Sequence, residues 1–64
     1  MKSYILENGN FIRIENEYSF DNKIRFDIVH IQKDGSWKHT ETQTINLSFY
    51  FGVHDYIKTN YKVK

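Results

Sequence analysis

The 64-residue chain has no cysteine, no proline and no alanine. Without cysteine, neither a disulfide nor a thiolate metal site can staple the fold, and the composition fits a reducing compartment. The longest apolar runs are only a few residues, far short of the roughly 20 that a membrane-spanning helix needs. The N-terminal stretch also lacks the apolar centre of a signal peptide, so a cytoplasmic location is expected. Glycine is scarce. Its three copies are isolated and two of them, Gly9 and Gly35, sit in turn signals, which leaves no glycine-rich phosphate loop. Charge of one sign is nearly balanced out: the net charge of +1 excludes bulk attraction to nucleic acid, so any basic patch must come from local placement.

What is present points to strands. Ile, Val, Phe, Tyr, Trp and Thr supply 26 of the 64 residues, side chains that suit a pleated, half-buried surface. A helical bundle would use Ala and Leu freely. Abundant Lys, Asn and Ile suggest an AT-rich source genome, such as that of a Gram-positive bacterium or its phage. A chain this short makes one domain and buries only about 60% of its unfolded surface, so self-association is expected to supplement a small core.

Residues 22–44 form the centre of the pattern. Lys23-Ile24-Arg25-Phe26-Asp27-Ile28 alternates polar and apolar side chains, and Asp34-Gly35 is a strong hairpin signal of the type I′ kind. With a two-residue turn, His30 should meet His39, Gln32 should meet Trp37 and Lys38 should meet Ile31. Ile24, Phe26 and Ile28 are then expected to point inward, with Lys23, Arg25, Asp27, Val29, Ile31 and Lys33 on the other face. Upstream, residues 4–7 and 11–15 flank Asn8-Gly9 and predict a first hairpin, with Ile12 and Ile14 on one face. Residues 15–22 read as a loop or a bulged continuation of the strand. Downstream, the pattern predicts strand to Leu47 and helix over residues 49–61 with Ser48 as N-cap, although Gly52 counts against a helix there. The fold class expected is α+β: a four-stranded antiparallel sheet of two hairpins followed by one C-terminal helix. A small all-β barrel is the alternative, if residues 59–63 are a strand.

His30, His39 and His54 raise the question of a metal, but zinc wants four ligands, or three with water, at defined spacing. Only Glu41 and Asp27 lie near, and the histidines read better as surface side chains beside Trp37. Glu15 and Glu17 read as solvated charges, and no nucleophile stands beside a base in a local motif. No cofactor or catalytic residue is expected, so the protein reads as a binding protein.

The most suggestive set interleaves cations and rings on strands: Arg13, Phe20, Lys23, Arg25, Lys33, Trp37 and Lys38, with Lys58, Lys62 and Lys64 at the end. Single-stranded nucleic acids bind such sets, the bases stacking on rings while cations follow the phosphates. The plainer reading is that Trp37 packs locally and the lysines solubilise edge strands.

Arg25-Phe26-Asp27-Ile28, then Asp34-Gly35, then Thr44-Ile45-Asn46-Leu47-Ser48 and an aromatic segment form an order with a known parallel. It resembles the single-stranded-DNA-binding transcriptional coactivators of the positive cofactor four type, whose "DI" strand, hairpin and "I-x-L-S" strand end precede a final helix. Phe11-Ile12-Arg13-Ile14 and Phe20-Asp21-Asn22-Lys23 sit where that family has its first strands and an aromatic turn. The chain departs from the family at Val29, at Gln43-Thr44 and at Phe49-Tyr50-Phe51. The resemblance implies a homodimer paired through its helices, a sheet that binds single-stranded DNA, and contacts from Phe20 and Lys23. A nucleic-acid-binding accessory of transcription or replication in a bacterium or phage is thus the expected function. The alternative is a small phage or mobile-element inhibitor, for example an anti-CRISPR, that binds a host protein through its many aromatics.

Overall fold

A computed structural model describes residues 2–64. Four strands run antiparallel in sequence order: β1 Lys2–Ile5, β2 Phe11–Phe20, β3 Lys23–Ile31 and β4 Lys38–Asn46. A helix, α1 Val53–Asn60, follows them. The α+β expectation holds. The sheet is open, and of residues 59–63 only Val63 reaches a bridge, to Leu6, which removes the barrel alternative. No helix among the described residues is long and apolar enough to cross a membrane.

The β3–β4 register is the expected one without a break, His30 facing His39 and Ile31 facing Lys38. Its turn is not type I′. Gly35 has φ 77 but Asp34 stays on the ordinary side. The Gly35 N–H bonds the Gln32 carbonyl at 2.8 Å and the Asp34 side chain accepts from the Ser36 N–H at 2.9 Å, so the connection is a four-residue one. The I′ pattern stands instead between β2 and β3. Asp21 and Asn22 have φ 47 and 60 between the paired Phe20 and Lys23, a conformation that Asp and Asn reach more cheaply than other non-glycine residues.

The stretch left between loop and bulge is a bulged strand. Pairing shifts between Glu15 and Tyr18, Asn16 takes φ 56, and its amide donates to Asp27 Oδ2 at 2.8 Å. One extra residue reverses the alternation, so Tyr18 and Phe20 emerge on the face that carries Arg13 and Glu15.

Two corrections fall at the C-terminal end. Strand pairing ends at Asn46, with one further bond from the Leu47 N–H to the Asn22 carbonyl, and the helix starts four residues later than expected. Asn46 is the cause: its side chain accepts from the Ser48 N–H and its carbonyl from the Phe49 N–H, closing a turn that consumes the predicted N-cap. Gly52 flanks the helix in extended backbone, and Asp55 in the first turn accepts from the Phe51 N–H at 3.0 Å. An acceptor there also suits the positive end of the helix dipole.

The core lies between one face of the sheet and α1. Ile12, Ile14, Phe26, Ile28 and Ile45 from the strands meet Val53 and Ile57 from the helix. Tyr56 lies edge-on to Phe26 with centroids 5.7 Å apart. Ile57 is fully buried, and truncating such a side chain costs about 2–5 kcal/mol. A domain of this size has only a few kcal/mol in hand. Ile57→Ala is therefore expected to lower the urea midpoint severely, with sheet and helix circular-dichroism signals lost together. Lys58→Ala, on the exposed side, should shift stability by less than about 0.5 kcal/mol.

Candidate nucleic-acid interface

Strand alternation sorts the side chains into two faces. The face away from α1 carries five rows, read from the pairing: Ile5, Phe11, Ile31 and Lys38; Ser3, Arg13, Val29 and Thr40; Glu15, Asp27 and Thr42; Tyr18, Arg25 and Thr44; Phe20, Lys23 and Asn46. One end is therefore apolar and the other is basic and aromatic.

The basic end is built on the bulge and the Asp21-Asn22 turn. Tyr18 is 62% exposed and stacks on Phe20 with centroids 5.5 Å apart. The Arg25 guanidinium lies 5.5 Å from the Phe20 ring centre, within cation–π range. Lys23 sits directly across from Phe20. The fold thus brings Phe20, Lys23 and Arg25 together. Tyr18 joins them and was missed, because the bulge that turns it outward leaves no mark in simple alternation.

The remaining members of the predicted set disperse. Arg13 shares the open face, but its Nε lies 2.7 Å from Glu15 Oε2, so its charge is compensated. Lys38 stands at the opposite, apolar end. Lys33 lies in the β3–β4 turn, where its N–H bonds Asn10 Oδ1 and its stem packs beside Gly9. Trp37 is on the other side of the sheet. It stacks on His39 (5.7 Å), which neighbours His30, which in turn lies against Tyr61 beyond the helix. Basic and aromatic residues are therefore not one surface.

The acidic groups of the open face are held in place. Asp27 accepts from Asn16 and from the Thr42 hydroxyl, both at 2.8 Å, and these bonds lower its pKa. On the helix side, Glu41 Oε1 accepts from His30 Nε2 and from the Tyr61 hydroxyl, both at 2.9 Å, and these bonds lower its pKa. Burial, and then Glu41, push the Tyr61 hydroxyl well above its ordinary value, so it stays a donor. Among the described residues no group of three or more His, Cys, Asp or Glu side chains could hold a metal ion. The Trp37–His39–His30 array reads as packed rings.

No family model, curated protein or solved structure matches the chain significantly.

Lowered carboxylate values carry a pH dependence. The folded state holds Asp27 and Glu41 charged to lower pH than the unfolded chain does, so their bonds stabilise it above about pH 4 and are lost as pH falls through the folded values. Stability measured by urea titration should fall from pH 6 to pH 3. Asp27→Asn and Glu41→Gln together should flatten that slope, while a slope unchanged in the double variant would contradict the assignment.

Proposed function

We propose that the open sheet face binds single-stranded nucleic acid through Tyr18, Phe20, Lys23 and Arg25, without catalysis. The observation that carries the reading is the cluster itself: two stacked rings on a pleated face, one exposed, with two cations beside them and no ion pair to either cation among the described residues. Bases stack on such rings whatever their sequence, at about 1–3 kcal/mol each, while cations beside them follow the phosphates. Arg13, paired with Glu15, and Lys38, at the far apolar end of the face, stand outside this cluster. The positive cofactor four resemblance supports this reading, since it places nucleic-acid contacts at Phe20 and Lys23, and a transcription or replication accessory is the corresponding role.

Fluorescence anisotropy with a labelled oligo-dT at low salt tests it. Phe20→Ala and Arg25→Ala should each weaken binding about tenfold, the equivalent of roughly 1.4 kcal/mol. Trp37→Ala, on the other face, should leave it within twofold. The slope of log K against log salt should be near −1.4 for the two phosphates that Lys23 and Arg25 neutralise, at about −0.7 each. No anisotropy change at low salt, or a Trp37 effect as large as that of Arg25, would sink the proposal.

Phe51 and Phe49, 100% and 79% exposed on the loop before α1, favour a second reading: contact with a host protein. That surface is remote in kind from the sheet cluster. Phe49→Ser with Phe51→Ser should leave oligonucleotide binding unchanged if the first reading holds.

A further inference from the structure

The two edges of the sheet are unlike. The β1 edge is four residues long, and the C-terminal residues already pair with its end: the Lys64 N–H bonds the Ile5 carbonyl and the Glu7 N–H bonds the Lys62 carbonyl, both at 2.8 Å. The β4 edge is nine residues long and unbroken by any bulge against β3. Bonds at the two ends of the β3–β4 ladder fix which of its groups face outward. The Gln32 N–H meets the Trp37 carbonyl at 3.0 Å and the Leu47 N–H meets the Asn22 carbonyl at 2.9 Å. Hydrogen-bonded pairs alternate along an antiparallel ladder, so His39, Glu41, Gln43 and Ile45 bond β3. The N–H and C=O groups of Lys38, Thr40, Thr42, Thr44 and Asn46 therefore point away from the sheet.

Edges of this kind are usually blunted by proline, a bulge or several charges. None of the first two is present in β4, and its outward-bonding residues are one lysine, three threonines and an asparagine. We infer that β4 pairs with the β4 of a second copy, antiparallel about a two-fold axis at Thr42, to make a continuous eight-stranded sheet.

The choice of a second copy rests on self-complementarity. Centred on Thr42, all nine residues of the strand find a partner. Thr42 meets itself, Thr40 meets Thr44 of the other copy, Lys38 meets Asn46, and Glu41 meets Gln43. Threonine pairs across strands are favourable, and no like charges meet. Registers shifted toward the β3–β4 turn are worse. Centring on Glu41 sets that carboxylate against its own copy, and centring on Thr40 leaves residues 43–46 opposite the turn at 34–37. Glu41 needs no rearrangement, since its bonds to His30 and Tyr61 lie on the helix side. Pairing through α1 has less to offer, because its exposed residues are His54, Lys58, Thr59 and Asn60, all polar. An axis normal to the sheet keeps both helices on one side and joins the two open faces into one surface.

Sedimentation equilibrium of the full chain without nucleic acid tests the pairing. The mass should approach twice the 7.8-kDa chain at sub-millimolar concentration. Thr40→Lys with Thr44→Lys places like charges opposite each other twice and should weaken association at least tenfold. Thr40→Lys with Thr44→Glu places opposite charges there and should restore it. A monomeric wild-type chain, or two double variants that behave alike, would overturn the inference. Amide exchange on the wild-type chain gives a readout free of folding defects in variants. The Thr40, Thr42 and Thr44 amides should exchange more slowly as protein concentration rises. Concentration-independent exchange at these amides would equally overturn the pairing, including the case in which the edge takes a foreign peptide.

Discussion

Two side chains of one short helix close the core. Val53 and Ile57 are the buried residues of α1, and they complete a cluster whose other members all come from the sheet. A sheet has two faces and α1 covers one of them. Among the described residues no further element covers the second, so it carries whatever side chains the alternation puts there. The same shortage leaves β4 as an uncovered edge. Both candidate binding surfaces follow from a single constraint, that the chain has enough apolar material for one layer contact and no more.

That constraint also explains why the open face is divided. Val29 is buried but does not belong to the core cluster, and with Ile5, Phe11 and Ile31 it makes an apolar end. Away from that end the face is held by polar bonds, with Asp27 accepting from Asn16 on β2 and Thr42 on β4 at once. A carboxylate fixed by two neutral donors ties three strands together without bringing a compensating cation. Among the described residues Lys23 and Arg25 make no ion pair, although Asp27 is two residues from Arg25 on the same face.

Much of the fold was legible because period-two alternation and turn residues act locally. Ile12, Ile14, Phe26 and Ile28 are buried as their spacing requires, and the β3–β4 register follows from the position of its turn. Legibility failed where one residue's backbone changed the phase. Asn16 takes a left-handed conformation that few residues adopt, and from that point outward and inward exchange places along β2. The turn residues were read in the right places but with the wrong conformations: Asp21 and Asn22 form the I′ turn, whereas Asp34-Gly35 lies in a longer connection. Ser48 has the chemistry of an N-cap, yet Asn46 two residues earlier competes for the same backbone donors and wins. Such competitions turn on geometry that residue preference does not encode.

The candidate site failed and succeeded by the same rule. Trp37 is the most prominent aromatic in the chain, and grouping it with Arg25 ignores the register that pairs it with Gln32. Once Gln32 and Ile24 share a face, Trp37 belongs with the helix and not with the cations. Tyr18 is the converse: alternation carried from Ile14 would turn it inward, and only the bulge brings it beside Phe20 and Arg25. A basic and aromatic composition therefore says little until each side chain has a face. Here that sorting removes Trp37 and Lys33, sets Lys38 and the paired Arg13 apart, adds Tyr18, and leaves Phe20, Lys23 and Arg25 at the end of the sheet nearest the Asp21-Asn22 turn.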